Sequence, residues 1–257
     1  MVKVKEKWTA NHLYEFLNAL PDESLLSVKK SLGLVDENAG VDTLQGKSKD
    51  VREIQKQALW ISSNILTYAF RDETLLDYHG LVAWVTEKAE IAPEIIAAKP
   101  TFFLERELYK KLFSDLWDKL SIEQRQELLN KIDPNGMIKD RTAIVALSGS
   151  GAIAAFSATV AFSGFAFYTT MSVAISTVAG LLGATLPFAA YTGASSLAAF
   201  LSGPIGWAIA GVAALGGVAL AGRANVKKTT AFISQIHALK IAALIEAGVP
   251  ESEVFET

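Results

Sequence analysis

No cysteine occurs in the 257 residues, which excludes disulfides, thiolate catalysis and cysteine-ligated zinc or iron–sulfur sites. A reducing compartment fits that absence. A second absence is local. From Thr142 to Gly222 there is no Asp, Glu, Lys, Arg or His, so all 24 basic and 27 acidic residues lie outside that stretch. Its 81 residues far exceed the roughly 20 needed to cross a bilayer once, so it reads first as two or more membrane helices and second as an unusually large buried core. Basic excess is missing too. Residues 1–141 carry 20 Lys and Arg against 23 Asp and Glu, which excludes the one-signed stripe that a nucleic-acid binder needs. The start, MVKVKEKWTANHLYEF, has basic residues with no continuous apolar core after them, so a secretory signal is not expected.

The chain before residue 136 has the punctuation of a helical domain. Thr9 is placed to cap a helix that Pro21 stops, and Asp22 opens a second helix ending at Gly33. Residues 36–47 read as loop. Ser48 then precedes a long helix with Val51, Ile54, Ala58, Ile61, Ile65 and Ala69 on one face. Helices are also expected over 75–88 and 93–98, and Leu108, Leu112, Leu116 and Leu120 mark a further apolar ridge. Ser121 and Gln124 have the spacing of a capping box, and Asp133–Pro134–Asn135–Gly136 is a strong breaker. These signals give an all-α fold with two parts: a soluble helical domain over 1–135, and a hydrophobic helical region over 136–257 ending in an amphipathic helix.

Within the charge-free stretch, Ala143–Tyr168 and Met171–Tyr191 are each long enough for a span, and Gly203–Pro204 splits the remainder, giving two to four crossings. Lys139 and Arg141 precede it and Arg223, Lys227 and Lys228 follow, so cytoplasmic flanks imply an even number. It holds 22 Ala and 12 of the 18 Gly, a composition suited to close helix packing. Gly206, Ala210, Ala213, Gly217 and Ala221 share one helical face and form the candidate self-association site, through which the chain would build a homo-oligomer. The expected partners are a lipid bilayer and, through the N-terminal helices, another protein; no nucleic acid is expected. After Gly222, Phe232, Ile236, Leu239 and Ala243 share a face that excludes Lys228, Gln235 and Glu246, so this helix either lies on anionic lipid or docks on the N-terminal helices.

Chemistry-bearing patterns are few. Gly149–Ser150–Gly151–Ala152–Ile153–Ala154 follows a strand-like AIVAL and mimics a dinucleotide-binding turn, but the acidic residue needed about 20 positions later to hold a ribose is missing. His12, His79 and His237 belong to no ligand motif and read as surface or packing residues. The acid pairs Asp72–Glu73 and Glu105–Glu107 read as solvated helix faces, and Trp60, Trp84 and Trp117 as core. No catalytic, metal or cofactor site is implied, and the expected protein is not an enzyme.

Two passages carry a resemblance. SDLWDKLSIEQRQELLNKID (114–133) and GPIGWAIAGVAALGGVALAG with the basic helix after it (203–244) resemble the YaaW-like bacterial proteins, grouped with the ubiquinol–cytochrome c chaperone family. That resemblance implies a helical assembly factor or scaffold, and no active site. In architecture alone, amphipathic helices around an Ala/Gly-rich apolar stretch are similar to the pore-forming domains of colicins. The leading expectation is a membrane-inserting helical protein that permeabilises a bilayer. The alternatives are an integral scaffold and a soluble chaperone-like bundle.

Overall fold

Why helix follows helix is visible at each boundary. In the computed structural model, which describes residues 10–36, 38–62, 77–133, 136, 138–157 and 226–248, α1 (Ala10–Ala19) stops before Pro21 and buries Leu13 and Leu17. Helix α2 (Asp22–Ser31) has Asp22 and Glu23 in its first turn and Lys29 and Lys30 in its last, the arrangement that opposes the helix dipole. It ends in a Schellman turn. Gly33 takes φ +70°, its N–H reaches the Lys30 carbonyl at 2.9 Å, and the Leu34 N–H reaches Lys29 at 2.9 Å.

The loop that follows contains one 3₁₀ turn, Val41–Thr43. Helix α3 (Lys47–Ser62) buries Val51, Ile54, Ala58 and Ile61, four members of the expected face; Ile65 and Ala69 lie outside the described residues. Trp60 departs from expectation. At 42% exposure it faces outward, because its position is out of phase with that apolar face. Helix α4 (Tyr78–Lys88) is capped by Asp77, whose carboxylate accepts the Gly80 N–H at 3.0 Å. Helix α5 (Pro93–Ala98) is a short connector with proline in its first turn.

Helix α6 (Thr101–Trp117) is the hub, packed against α4 and two later helices, and it buries Phe102, Leu104, Leu108, Tyr109, Phe113 and Trp117. Helix α7 (Ile122–Ile132) opens with the expected capping box. Ser121 Oγ accepts the Gln124 N–H at 3.3 Å and Gln124 returns the bond to the Ser121 N–H at 2.9 Å.

Helices α8 (Arg141–Ala146) and α9 (Gly149–Ser157) begin the charge-free stretch, and they correct two readings. The strand-like AIVAL is helical up to Ala146. The candidate span starting at Ala143 is interrupted at Leu147–Ser148, with Ile144, Val145, Ala152 and Phe156 buried in the protein's own core. Among the described residues no strand occurs, and no helix is long and apolar enough to cross a membrane. Residues 158–225, which hold most of the charge-free stretch, lie outside the described residues.

The last helix, α10 (Val226–Glu246), packs against α2, α3, α4 and α6. Every side chain from Phe232 to Ala242 is buried, including Gln235, so it is not amphipathic. Such all-round burial marks a core helix. The boundary expected at residue 135 falls between α7 and α8, and side chains on both sides of it, with those of α10, belong to one continuous apolar core.

Candidate functional site

The five candidate packing residues, Gly206, Ala210, Ala213, Gly217 and Ala221, lie outside the described residues. What the structure brings together instead is a set of polar side chains around α10, and a clamp where the charge-free stretch begins.

The centre of the first is Glu105. It sits in the second turn of α6 with no exposed surface, which corrects its reading as part of a solvated face. Its Oε1 accepts from Lys240 Nζ at 2.5 Å and from Tyr78 Oη at 2.7 Å, while Oε2 faces His237 Nδ1 at 3.4 Å. His237 is packed against the rings of Phe102 and Tyr109, with centroids 4.8 and 5.7 Å away, and Lys240 lies 4.8 Å from the Tyr78 ring centre. Burial alone would raise the Glu105 carboxyl, yet the Lys240 charge and the His237 hydrogen bond leave it below its ordinary value. Burial pushes Lys240 down to about 8 despite Glu105, and holds His237 below its ordinary value although Glu105 pulls the other way. Burial, then the Glu105 charge, raises Tyr78 well above the usual phenol range. Three donors take up most of the roughly four lone-pair sites that a carboxylate offers. Chemically it tethers α10 to α6 and α4.

Two further contacts fix the same helix. Ser31 Oγ donates to Gln235 Oε1 at 2.5 Å and Gln235 Nε2 donates to Ser27 Oγ at 3.3 Å, joining α10 to α2. Thr229 Oγ1 donates to the Ile61 carbonyl of α3 at 3.4 Å. Beneath α2, the buried Lys29 ammonium lies 2.5 Å from Asp50 and 2.7 Å from Glu53 on α3. Burial lowers the Lys29 pKa, but those two carboxylates more than offset it and leave it raised.

The clamp holds the α8–α9 junction. Trp117 Nε1 and Arg125 Nη1 both donate to the Leu147 carbonyl at 3.0 Å, and the same Arg125 nitrogen reaches the Val145 carbonyl at 2.9 Å. The Val145 carbonyl in the last turn of α8 and the Leu147 carbonyl just beyond it are thereby satisfied. Asp118 accepts the Gly149 N–H at 2.8 Å, placing a carboxylate at the start of α9. Phe156 then packs edge-on to Trp117 and Phe113, with centroids 5.8 and 5.9 Å away.

Gly149, singled out above for a cofactor motif that lacks its acidic partner, has a packing reason. A Cβ there would stand 2.6 Å from the Ser114 Cα, against backbone that cannot yield. Gly149→Ala should therefore cost about 1–3 kcal/mol through overpacking, read as a lowered urea midpoint. Unchanged stability would mean that α9 does not approach α6 so closely.

Sequence reasoning missed Glu105, Tyr78 and the buried role of His237. One signal was available: Lys240 is the only formal charge between Lys228 and Glu246. Glu105 gave none, because Arg106 and Glu107 beside it dress it as a surface residue. Among the described residues no group of three His, Asp or Glu side chains is arranged to hold a metal ion. No protein-family model, curated protein or solved structure matches the chain.

Proposed function

We propose that the chain is a non-enzymatic membrane-inserting protein that permeabilises a bilayer through its charge-free segment, residues 158–222, working from a helical body that stays in water. The observation that supports it is the pairing of an uncharged segment of that length with attachment at both ends: Phe156 before it is packed on α6, and α10 after it is packed on α6 as well. A segment tied at both ends to one folded body enters a membrane as hairpins. Its crossings are therefore even in number, which agrees with the basic residues on both flanks.

Topology supplies one test. Cysteines introduced at Asn135 and Asn225, in a chain that has none of its own, should be accessible from the same side of a vesicle. Opposite accessibility would remove the hairpin reading. Lys at Ala179 should oppose insertion by about 2.5–3.5 kcal/mol if that position reaches the bilayer centre.

Permeabilisation supplies the other. Gly217→Leu places a bulky side chain on the small-residue face, so the variant should bind liposomes yet release less trapped dye than wild type, while Val212→Leu, off that face, should behave as wild type. Wild-type protein that inserts and never leaks dye would favour an integral scaffold, the role that the resemblance to YaaW-like proteins implies.

A further inference from the structure

On the exposed side of α6 the charges are paired: Lys110 meets Glu107 at 3.3 Å and Lys111 meets Asp115 at 2.5 Å. Helix α3 differs. Lys49, Arg52, Lys56 and Trp60 are all exposed and, at spacings of three and four, share one face. The carboxylates of the same helix are engaged elsewhere. Asp50 and Glu53 both close on the buried Lys29 ammonium of α2, at 2.5 and 2.7 Å, and Lys47 lies 3.8 Å from Asp22. Among the described residues, no carboxylate forms an ion pair with Lys49, Arg52 or Lys56.

The Lys29–Asp50–Glu53 set keeps one net negative charge. Asp50 is buried, and Glu53, 41% exposed, borders the face, so the three cations still outweigh that charge. The near balance over residues 1–141 conceals such a face, because a count does not see which way each charge points.

We propose that this face of α3 is the surface on which the helical body lies against an anionic lipid bilayer, with Lys49, Arg52 and Lys56 at the headgroups and Trp60 at the membrane–water boundary. It rests on the membrane reading above and names the part of the body that meets the lipid.

Charge, composition and position all favour lipid as the occupant. Exposed lysine and arginine side chains carry their cations to lipid phosphates while their stems lie along apolar surface. Tryptophan prefers the same boundary, where its ring is in apolar surroundings and its N–H stays wet. Position adds an independent reason. Thr229 Oγ1 donates to the carbonyl of Ile61, the residue after Trp60, at 3.4 Å. The chain therefore rejoins the body at the Trp60 end of this face, soon after the charge-free stretch ends at Gly222, and Arg223, Lys227 and Lys228 fall in that interval of sequence. A nucleic acid would satisfy the cations, yet it offers nothing to the uncharged segment that returns here.

The test uses the full chain and two kinds of vesicle, phosphatidylglycerol with phosphatidylcholine, and phosphatidylcholine alone. Wild type should bind the anionic vesicles more tightly, and high salt should erase the difference. Arg52→Gln with Lys56→Gln should weaken binding to anionic vesicles by about 25-fold, since each cation near such a surface contributes ~1 kcal/mol, or about fivefold. Binding of that variant to phosphatidylcholine should not change. Trp60→Ala should weaken binding to both kinds. Lys88→Gln with Lys111→Gln removes two exposed cations from α4 and α6 instead, and should bind as wild type does. Both charge variants should melt as wild type does, because the altered side chains are exposed. A nitrobenzoxadiazole label at Lys49→Cys should brighten on anionic vesicles, and one at Lys111→Cys, compared at the same bound fraction, should not.

Equal binding to the two kinds of vesicle, equal losses in the two charge variants, or equal brightening at positions 49 and 111 would each overturn the assignment and leave the membrane reading in place. Tighter binding to a short DNA duplex than to anionic vesicles, lost in the Arg52 and Lys56 variant, would give the face to nucleic acid and overturn it as well. Binding to neither kind of vesicle removes both ideas. Anionic-lipid binding that depends on Arg52 and Lys56 but releases no trapped dye upholds the face and removes permeabilisation.

Discussion

A chain ending at Ser157 should fail to fold cooperatively, although it keeps α1 to α9. It loses Phe232, Ile233, Ile236, Leu239, Ile241 and Leu244, whose burial at even 1.5 kcal/mol each amounts to roughly 10 kcal/mol. That is the size of a whole domain's stability. It also strands Glu105, whose partners Lys240 and His237 are on the missing helix. The truncated chain should therefore show a broad thermal transition and bind anilinonaphthalene sulfonate. A sharp transition near that of the full chain would mean that α10 is an accessory and not the centre of the core. The expectation that residues 1–135 form a domain of their own faces the same test.

Removing the Glu105 carboxylate is the largest single-residue effect expected. Glu105→Leu removes the carboxylate 2.5 Å from the buried Lys240 ammonium and should cost about 3–5 kcal/mol. In a chain of this length the melting temperature should drop by roughly 10 °C. Pairing it with Lys240→Met removes both charges and should recover most of the loss, because a well-packed apolar pair often matches or exceeds a buried ion pair. Denaturation of the two single variants and the double variant gives the coupling directly. If the double variant is as unstable as Glu105→Leu, the ion pair is not what holds α10, and the bonds of Gln235 to Ser27 and Ser31 gain weight.

The parts of this fold legible in the sequence are those fixed by neighbours in the chain. Gly33 needs only its own left-handed φ, Ser121 and Gln124 cap each other across three residues, and Pro93 begins a helix because its ring permits little else. Burial is settled by partners far along the chain, and there periodicity misled. Glu105 and Glu107 have the same local dress, yet one meets Lys240 and the other Lys110 and Arg106. Gln235 was set aside as a polar exception, although Ser27 and Ser31, more than 200 positions earlier, give it bonds in the interior. The break at Leu147 was likewise hidden, because the groups that fix it, Trp117 and Arg125, are not in the stretch being read.

The position of α10 in the chain bears on how the protein is made. A ribosome adding about 5–20 residues per second exposes the segment before α10 for seconds before the helix that closes the core has emerged. The nascent chain thus presents its most apolar portion while α2, α3, α4 and α6 still lack the helix that packs among them. During translation, capture by a membrane or a holdase chaperone competes with self-closure, and codon usage near residue 226 would tilt that competition without altering a single contact in the finished fold.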